Sequence, residues 1–141
     1  MDLGKIGVWT WLDGQSAIEA AALTKRAEGW GYSALWIPEA VGRDPFTTIS
    51  YLAAHTEKLV FATGIANIYA RDAMSMNAIH KTLSELAPGR FVLGMGVSHA
   101  PLVSDIRGHD YGKPVTTMRN YLDAMESALF MSVPAEEPAP I

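Results

Sequence analysis

The chain has 141 residues, 49% of them hydrophobic and 18% charged, with a formal net charge of −4, so it can form one domain with its own core and a partly apolar or partner-covered surface. With no cysteine it has no disulfide or thiolate site, and its scattered basic residues form no footprint for nucleic acid or an anionic membrane. No apolar run reaches a membrane span and "MDLGKIGVWTW" is not patterned as a signal peptide, so a soluble cytoplasmic protein is the expectation.

Along the chain, short apolar runs alternate with stretches of helical period. "KIGVW" (5–9) reads as a first strand. Ser16 and Glu19 stand at capping-box spacing and open a helix running towards Trp30, with Gly31 as its stop. "ALWIP" (34–38) is a second strand, ended by proline. Asp44 is an N-cap with Pro45 at the first helical position, and Phe46, Ile49, Leu52 and Ala53 form one apolar face. "LVFATG" (59–64) is the third strand. A helix near 73–87 sets Ile79, Leu83 and Leu86 on one side, and "RFVLGMG" (90–96) is the fourth strand. A last helix from Pro114 carries Met118, Tyr121, Leu122, Met125 and Leu129 at spacings of three and four. Met74, Met76, Met118 and Met125 read as packing residues.

Strands that are apolar throughout and alternate with helices imply a parallel sheet covered on its outer face. Two architectures offer that, a doubly wound sheet and a (β/α) barrel. The first turn, "GVWTWLDGQS", has two tryptophans and no GxGxxG, while "GMGVSH" (94–99) has two glycines and lacks the third. The expected fold class is therefore α/β, the N-terminal half of a TIM (β/α) barrel with four parallel strands, each followed by a helix. Residues 1–131 form the half-barrel; 132–141, "SVPAEEPAPI", form a Pro-rich tail leading towards a fifth strand. A full barrel needs eight such units and about 250 residues. Four strands leave two open edges and a bare inner face, so a homo-oligomer is expected.

Active sites of barrels gather at the C-terminal ends of the strands. Those ends hold Trp9, Thr10 and Trp11; Glu39; Gly64, Ile65 and Asn67; and Val97, Ser98 and His99. Gly64 interrupts the apolar run of the third strand and signals a bulge or a close approach to the backbone. Trp9 and Trp11 cannot both face the core: one is expected to line the mouth of a substrate pocket, the other to pack beneath a helix. Glu39 is either an acid near a cofactor or a carboxylate pairing with Arg43 or Arg71. Arg71 either meets an anion or anchors a loop to a carboxylate. His99 either handles a proton, its ordinary pKa of about 6.5 lying near working pH, or bonds the loop backbone before Pro101. His55 and His80 read as ordinary helix residues, and His109 with Asp110 offers too few ligands for a metal, so none is expected.

Three strings, "AEGWGYSALWIPE" (27–39), "TGIANIYARD" (63–72) and "TLSELAPGRFVLGMGVSHAP" (82–101), resemble the first half of a luciferase-like monooxygenase domain of the branch using the deazaflavin coenzyme F420. The resemblance implies an F420-dependent oxidoreductase that transfers hydride between the deazaflavin C5 and a small organic substrate. An FMN-dependent monooxygenase is the second reading, and a non-catalytic half-barrel that self-associates or binds flavin weakly the third. The resemblance also implies a third-strand bulge with a non-proline cis peptide between Gly64 and Ile65. There the ring rests, backed by Ile65, with Asn67 at a ring edge and Glu39 and Ser98 close by. Glu39 and His99 would be catalytic, and Trp9 and Trp11 would line the substrate pocket. Sugar-oxidising relatives carry a histidine where Ala40 stands, which argues against a sugar phosphate as substrate.

Overall fold

The computed structural model describes residues 1–141. Strand β1 is Gly7–Trp9, helix α1 Ala17–Gly29, β2 Ala34–Ile37, α2 Pro45–Ala53 and β3 Val60–Thr63. A two-residue strand β4 (Ala66–Asn67) and a short 3-10 turn (Ile68–Ala70) lead into α3, Ala73–Leu86. Strands β5 (Phe91–Val92) and β6 (Met95–Gly96) follow, then a π-helical turn (Pro101–Ile106) and α4, Pro114–Glu126. β1, β2, β3 and β5 form one parallel sheet in that order, and β4 pairs with β6, also parallel, in a second small one. This is half of a (β/α) barrel.

The first three helices start where side chains can take up their first N–H groups. Ser16 and Glu19 close the capping box of α1, Asp44 caps α2 ahead of Pro45, and Asp72 caps α3. The core lies between the sheet and these helices. Leu35, Ile37, Phe61 and Phe91 meet Ala20 and Ala21 of α1, Phe46, Ile49 and Leu52 of α2, and Met76 and Leu83 of α3. Phe46 and Phe91 meet edge to face, their centroids 6.4 Å apart.

Several expectations need correction. The fourth strand is not continuous over 90–96. It breaks at Gly94, where an added Cβ would lie 2.1 Å from the Thr63 carbonyl oxygen, and the Thr63 hydroxyl takes the place of a ladder partner there. On α3 the buried stripe runs Met76, His80, Leu83 and, just past its end, Ala87, so Leu86 falls on the exposed flank and Met74 is exposed as well. Helix α4 ends at Glu126; Leu129 lies beyond it and is exposed, and only Met125 of its apolar side is fully buried. His80 does more than fill a helix position: its Nε2–H donates to Ala139 O at 2.8 Å. Ser84 Oγ accepts from Ala139 N, and Pro140 O accepts from Leu93 N, both at 2.9 Å. The irregular tail is thereby docked against the open edge at β5.

Candidate functional site at the C-terminal ends of the strands

Both β3 and the fourth strand break at the same level, and hydrogen bonds stitch the break. Gly64 N donates to Ile37 O at 2.9 Å, Glu39 N to Ile65 O at 3.1 Å and Ala66 N to Gly94 O at 2.7 Å. The Gly64–Ile65 peptide is cis, as the resemblance implied. The neighbour of Gly64 is Trp9: its indole Nε1–H donates to Gly64 O at 2.8 Å, and a Cβ added to Gly64 would lie 3.3 Å from the ring. Trp36 Cβ lies 3.4 Å from the same point. Trp11 does not pack beneath a helix. It is about half exposed, like Trp9, and the two rings meet edge to face at 5.7 Å. The chain turns out of β1 at Trp9, so strand alternation no longer holds at Trp11.

Asn67 is fully buried. Its Oδ1 accepts the Tyr69 N–H at 3.0 Å, which fixes the amide orientation and leaves Nδ2 without a partner. Its own N–H donates to Glu39 Oε2 at 2.7 Å. The Glu39 side chain is only 6% exposed, and both its oxygens receive the Arg71 guanidinium, Nη1 at 2.9 Å from Oε2 and Nη2 on Oε1. Arg71 also reaches Asp44 Oδ2 at 3.2 Å and lies over the Phe46 ring. Burial works against the Arg71 cation, but its bond and attraction to Glu39, then Asp44 and Tyr121, outweigh that and raise its pKa. Tyr121 donates to Arg71 O and Asp72 O, and burial pushes its hydroxyl up to about 12. Of the two readings of Glu39, the ion pair with Arg71 is formed, and both carboxylate oxygens accept hydrogen bonds in it.

The segment after β6 folds over this end. Ser98 takes a left-handed φ of 56°, and its carbonyl accepts from Tyr111 Oη at 3.1 Å. Tyr69 Oη donates to Tyr111 O, and the two rings stack at 5.9 Å. The His99 carbonyl accepts from Val103 N at 3.0 Å, while its ring is exposed. Arg107 reaches across to Ala40 O at 3.0 Å. Sequence reasoning missed Tyr69, Tyr111 and Arg107, because each acts through a main-chain partner many residues away. An apolar groove of about 500 Å³ opens beside this site, between Gly96 and Val97 and the Met118 and Leu122 side of α4.

The family model for luciferase-like monooxygenases matches residues 2–138. The chain belongs to that family. A provisionally named coenzyme F420-dependent oxidoreductase of Mycobacterium tuberculosis is 28% identical to it, over 99% of this chain and 40% of that protein. The 5,10-methylenetetrahydromethanopterin reductase of Methanolobus tindarius is 29% identical over 79% of this chain and 34% of its own length. Among solved structures, the coenzyme F420-dependent tetrahydromethanopterin reductase of Methanopyrus kandleri superposes with a TM-score of 0.74 at 20% identity, over 96% of this chain and 45% of that one. An FMN complex of the oxygenating constituent of 3,6-diketocamphane monooxygenase from Pseudomonas putida gives 0.73 at 20%, over 96% and 43%. At these identities the structures show the shared fold. This member of the luciferase-like family spans less than half the length of these relatives, and no helix in it is long and apolar enough to cross a membrane.

Proposed function

We propose that this chain forms the ring-binding half of an F420-dependent oxidoreductase site, with FMN as the alternative cofactor. The observation that carries the reading is the unpartnered Asn67 Nδ2, a buried donor beside the Gly64–Ile65 bulge at the end where barrels place their sites. The residues fit a flat conjugated ring. Trp9 and Trp36 fill the side of Gly64 where a Cβ would point, and the Asn67 amide has a donor to offer to a ring edge. When bound, the deazaflavin supplies hydride transfer at C5. Gly64 and Ile65 form the surface on which it rests, Asn67 hydrogen-bonds it, and Ser98 lies beside it. Glu39 is a positioning residue: by taking the Asn67 N–H and the Arg71 guanidinium it fixes the strand that carries Asn67. His99 holds or releases a proton at its exposed imidazole during transfer to a small organic substrate, and Trp9 and Trp11 line that substrate's side.

F420 is placed ahead of FMN because one similar protein and one structural neighbour carry F420 in their names. FMN keeps its place through the diketocamphane monooxygenase complex. Barrels hold ligand phosphates near strands seven and eight, so the 141-residue chain alone is expected to bind either cofactor weakly, and its uncovered β1 edge favours self-association. Each lost charge-assisted phosphate contact removes roughly 1.5–3 kcal/mol. Fluorescence titration with F420 and with FMN tests the reading. Weak saturable binding, tighter for F420, supports it. Preference for FMN selects the alternative, and no saturable binding of either rejects both.

A further inference from the structure

Three buried side-chain atoms lack any hydrogen-bond partner: Gln15 Oε1, Asn67 Nδ2 and Arg107 Nε. All three residues are tied to the 39–44 segment. The Gln15 carbonyl accepts from Arg43, the Asn67 N–H donates to Glu39, and Arg107 Nη2 donates to Ala40 O. Unmet polar groups therefore converge on one end of the half-barrel, and Arg107 is the one that carries a charge.

The other partly buried arginines show what is missing. Arg71 is paired with Glu39 and Asp44, the only carboxylates of the chain in ion pairs. Arg90 makes three bonds, to Thr56 O, Thr56 Oγ1 and Ala53 O, at the end of α2. The Arg43 guanidinium makes one bond, to the Gln15 carbonyl, while Asp13 Oδ1 takes its backbone N–H; unlike Arg107, it has no nitrogen buried without a partner. Arg107 has one bond, to a carbonyl, out of five N–H donors. The Arg107 Nε–H is buried without a partner, which is costly, and a carbonyl tether needs no guanidinium. Its position matters too: Ala40 follows Glu39, whose N–H donates to Ile65 O at the bulge.

We propose that Arg107 receives an oxyanion, a carboxylate or phosphate, of the ligand bound at this end of the strands. The ligand's identity rests on the functional reading above; the oxyanion contact is separable from it. The guanidinium plane suits such a group, because it offers paired donors to two oxygens. The oxyanion comes either from the substrate, which is then an organic acid or a phosphate ester, or from the cofactor's own phosphate.

The test uses the 141-residue chain with isotopically labelled arginine, titrated with acetate and with inorganic phosphate at constant ionic strength. The Arg107 Nε–H resonance is expected to shift and saturate while those of Arg71 and Arg90 stay in place. Arg107→Lys, which keeps the charge and loses the fork, is expected to weaken the response about tenfold. Equal, non-saturating drift at all arginines, or no shift at Arg107, overturns the proposal. Repeating the titration with F420 or FMN present separates the sources. Loss of the acetate response assigns the oxyanion to the cofactor, and its persistence assigns it to the substrate. Failure of either cofactor to bind counts against the functional reading and leaves the anion titration intact.

Discussion

The Trp9 indole N–H donates to the Gly64 carbonyl at 2.8 Å and lies where a Gly64 side chain would point. The room left by the glycine is thus bounded by a tryptophan of the chain. Gly64→Val would press a branched carbon against Trp9 and Trp36, an overpacking that costs about 1–3 kcal/mol. The expected outcome is a shift in tryptophan fluorescence, with cofactor affinity falling by more than stability does. Paired urea denaturation and F420 titration measure both. If affinity holds while Trp9 moves, Gly64 serves the packing of Trp9 alone.

Glu39 and Asp44 both meet Arg71, yet they are expected to differ in weight. The Glu39 side chain is 6% exposed and Asp44 is 45% exposed. Removing one partner of a buried pair leaves the other charge uncompensated, so Glu39→Gln is expected to cost about 3–5 kcal/mol. Asp44→Asn keeps an N-cap oxygen for Thr47 N and loses only a screened charge, at about 1 kcal/mol or less. Chemical denaturation ranks the two, and equal losses would remove the buried pair from its place as the anchor of the bulge.

At the opposite end of the strands, Glu28 receives the backbone N–H groups of Glu57, Lys58 and Leu59, the last at 2.7 Å. Burial pulls its carboxyl upward, but the three N–H bonds and Arg90 together prevail and hold it below the ordinary value of 4.5. A carboxylate depressed in the folded state contributes stability above its unfolded pKa and loses it as pH falls through the folded one. Stability is therefore expected to drop below about pH 4.5. Glu28→Gln should lower stability at neutral pH by about 1 kcal/mol and flatten the acid limb. An unchanged acid limb in the variant would assign it to other carboxylates, such as the caps Glu19 and Asp72, which are also depressed.

Local signals carried the fold well. The capping box at Ser16, the Asp44–Pro45 start and the wholly apolar strands place two helices and the parallel order, because each depends on neighbours in sequence. The break at Gly64 was visible as a glycine inside an apolar run. Its mirror at Gly94 was not, since it depends on a hydroxyl, Thr63, from the adjacent strand. The site divides the same way. Glu39, Asn67 and His99 are legible as polar residues at strand ends. The choice of Arg71 over Arg43 for Glu39 and the tie of Arg107 to Ala40 are set by tertiary geometry. Trp11 misled because alternation was extended past the end of β1.

His99 separates proton handling from binding. Its carbonyl anchors the π-helical turn through Val103, and its imidazole is exposed beside Ser98. His99→Ala keeps the carbonyl, so the turn should remain folded and cofactor affinity should stay nearly intact. A group that acts in the transition state lowers kcat when removed and leaves ground-state binding alone. General acid–base groups contribute about 100-fold or more, and a loss of that order is expected in an assembly that turns over substrate. A variant that turns over normally, or one whose loss is wholly in cofactor affinity, would leave His99 as a loop residue whose backbone alone matters.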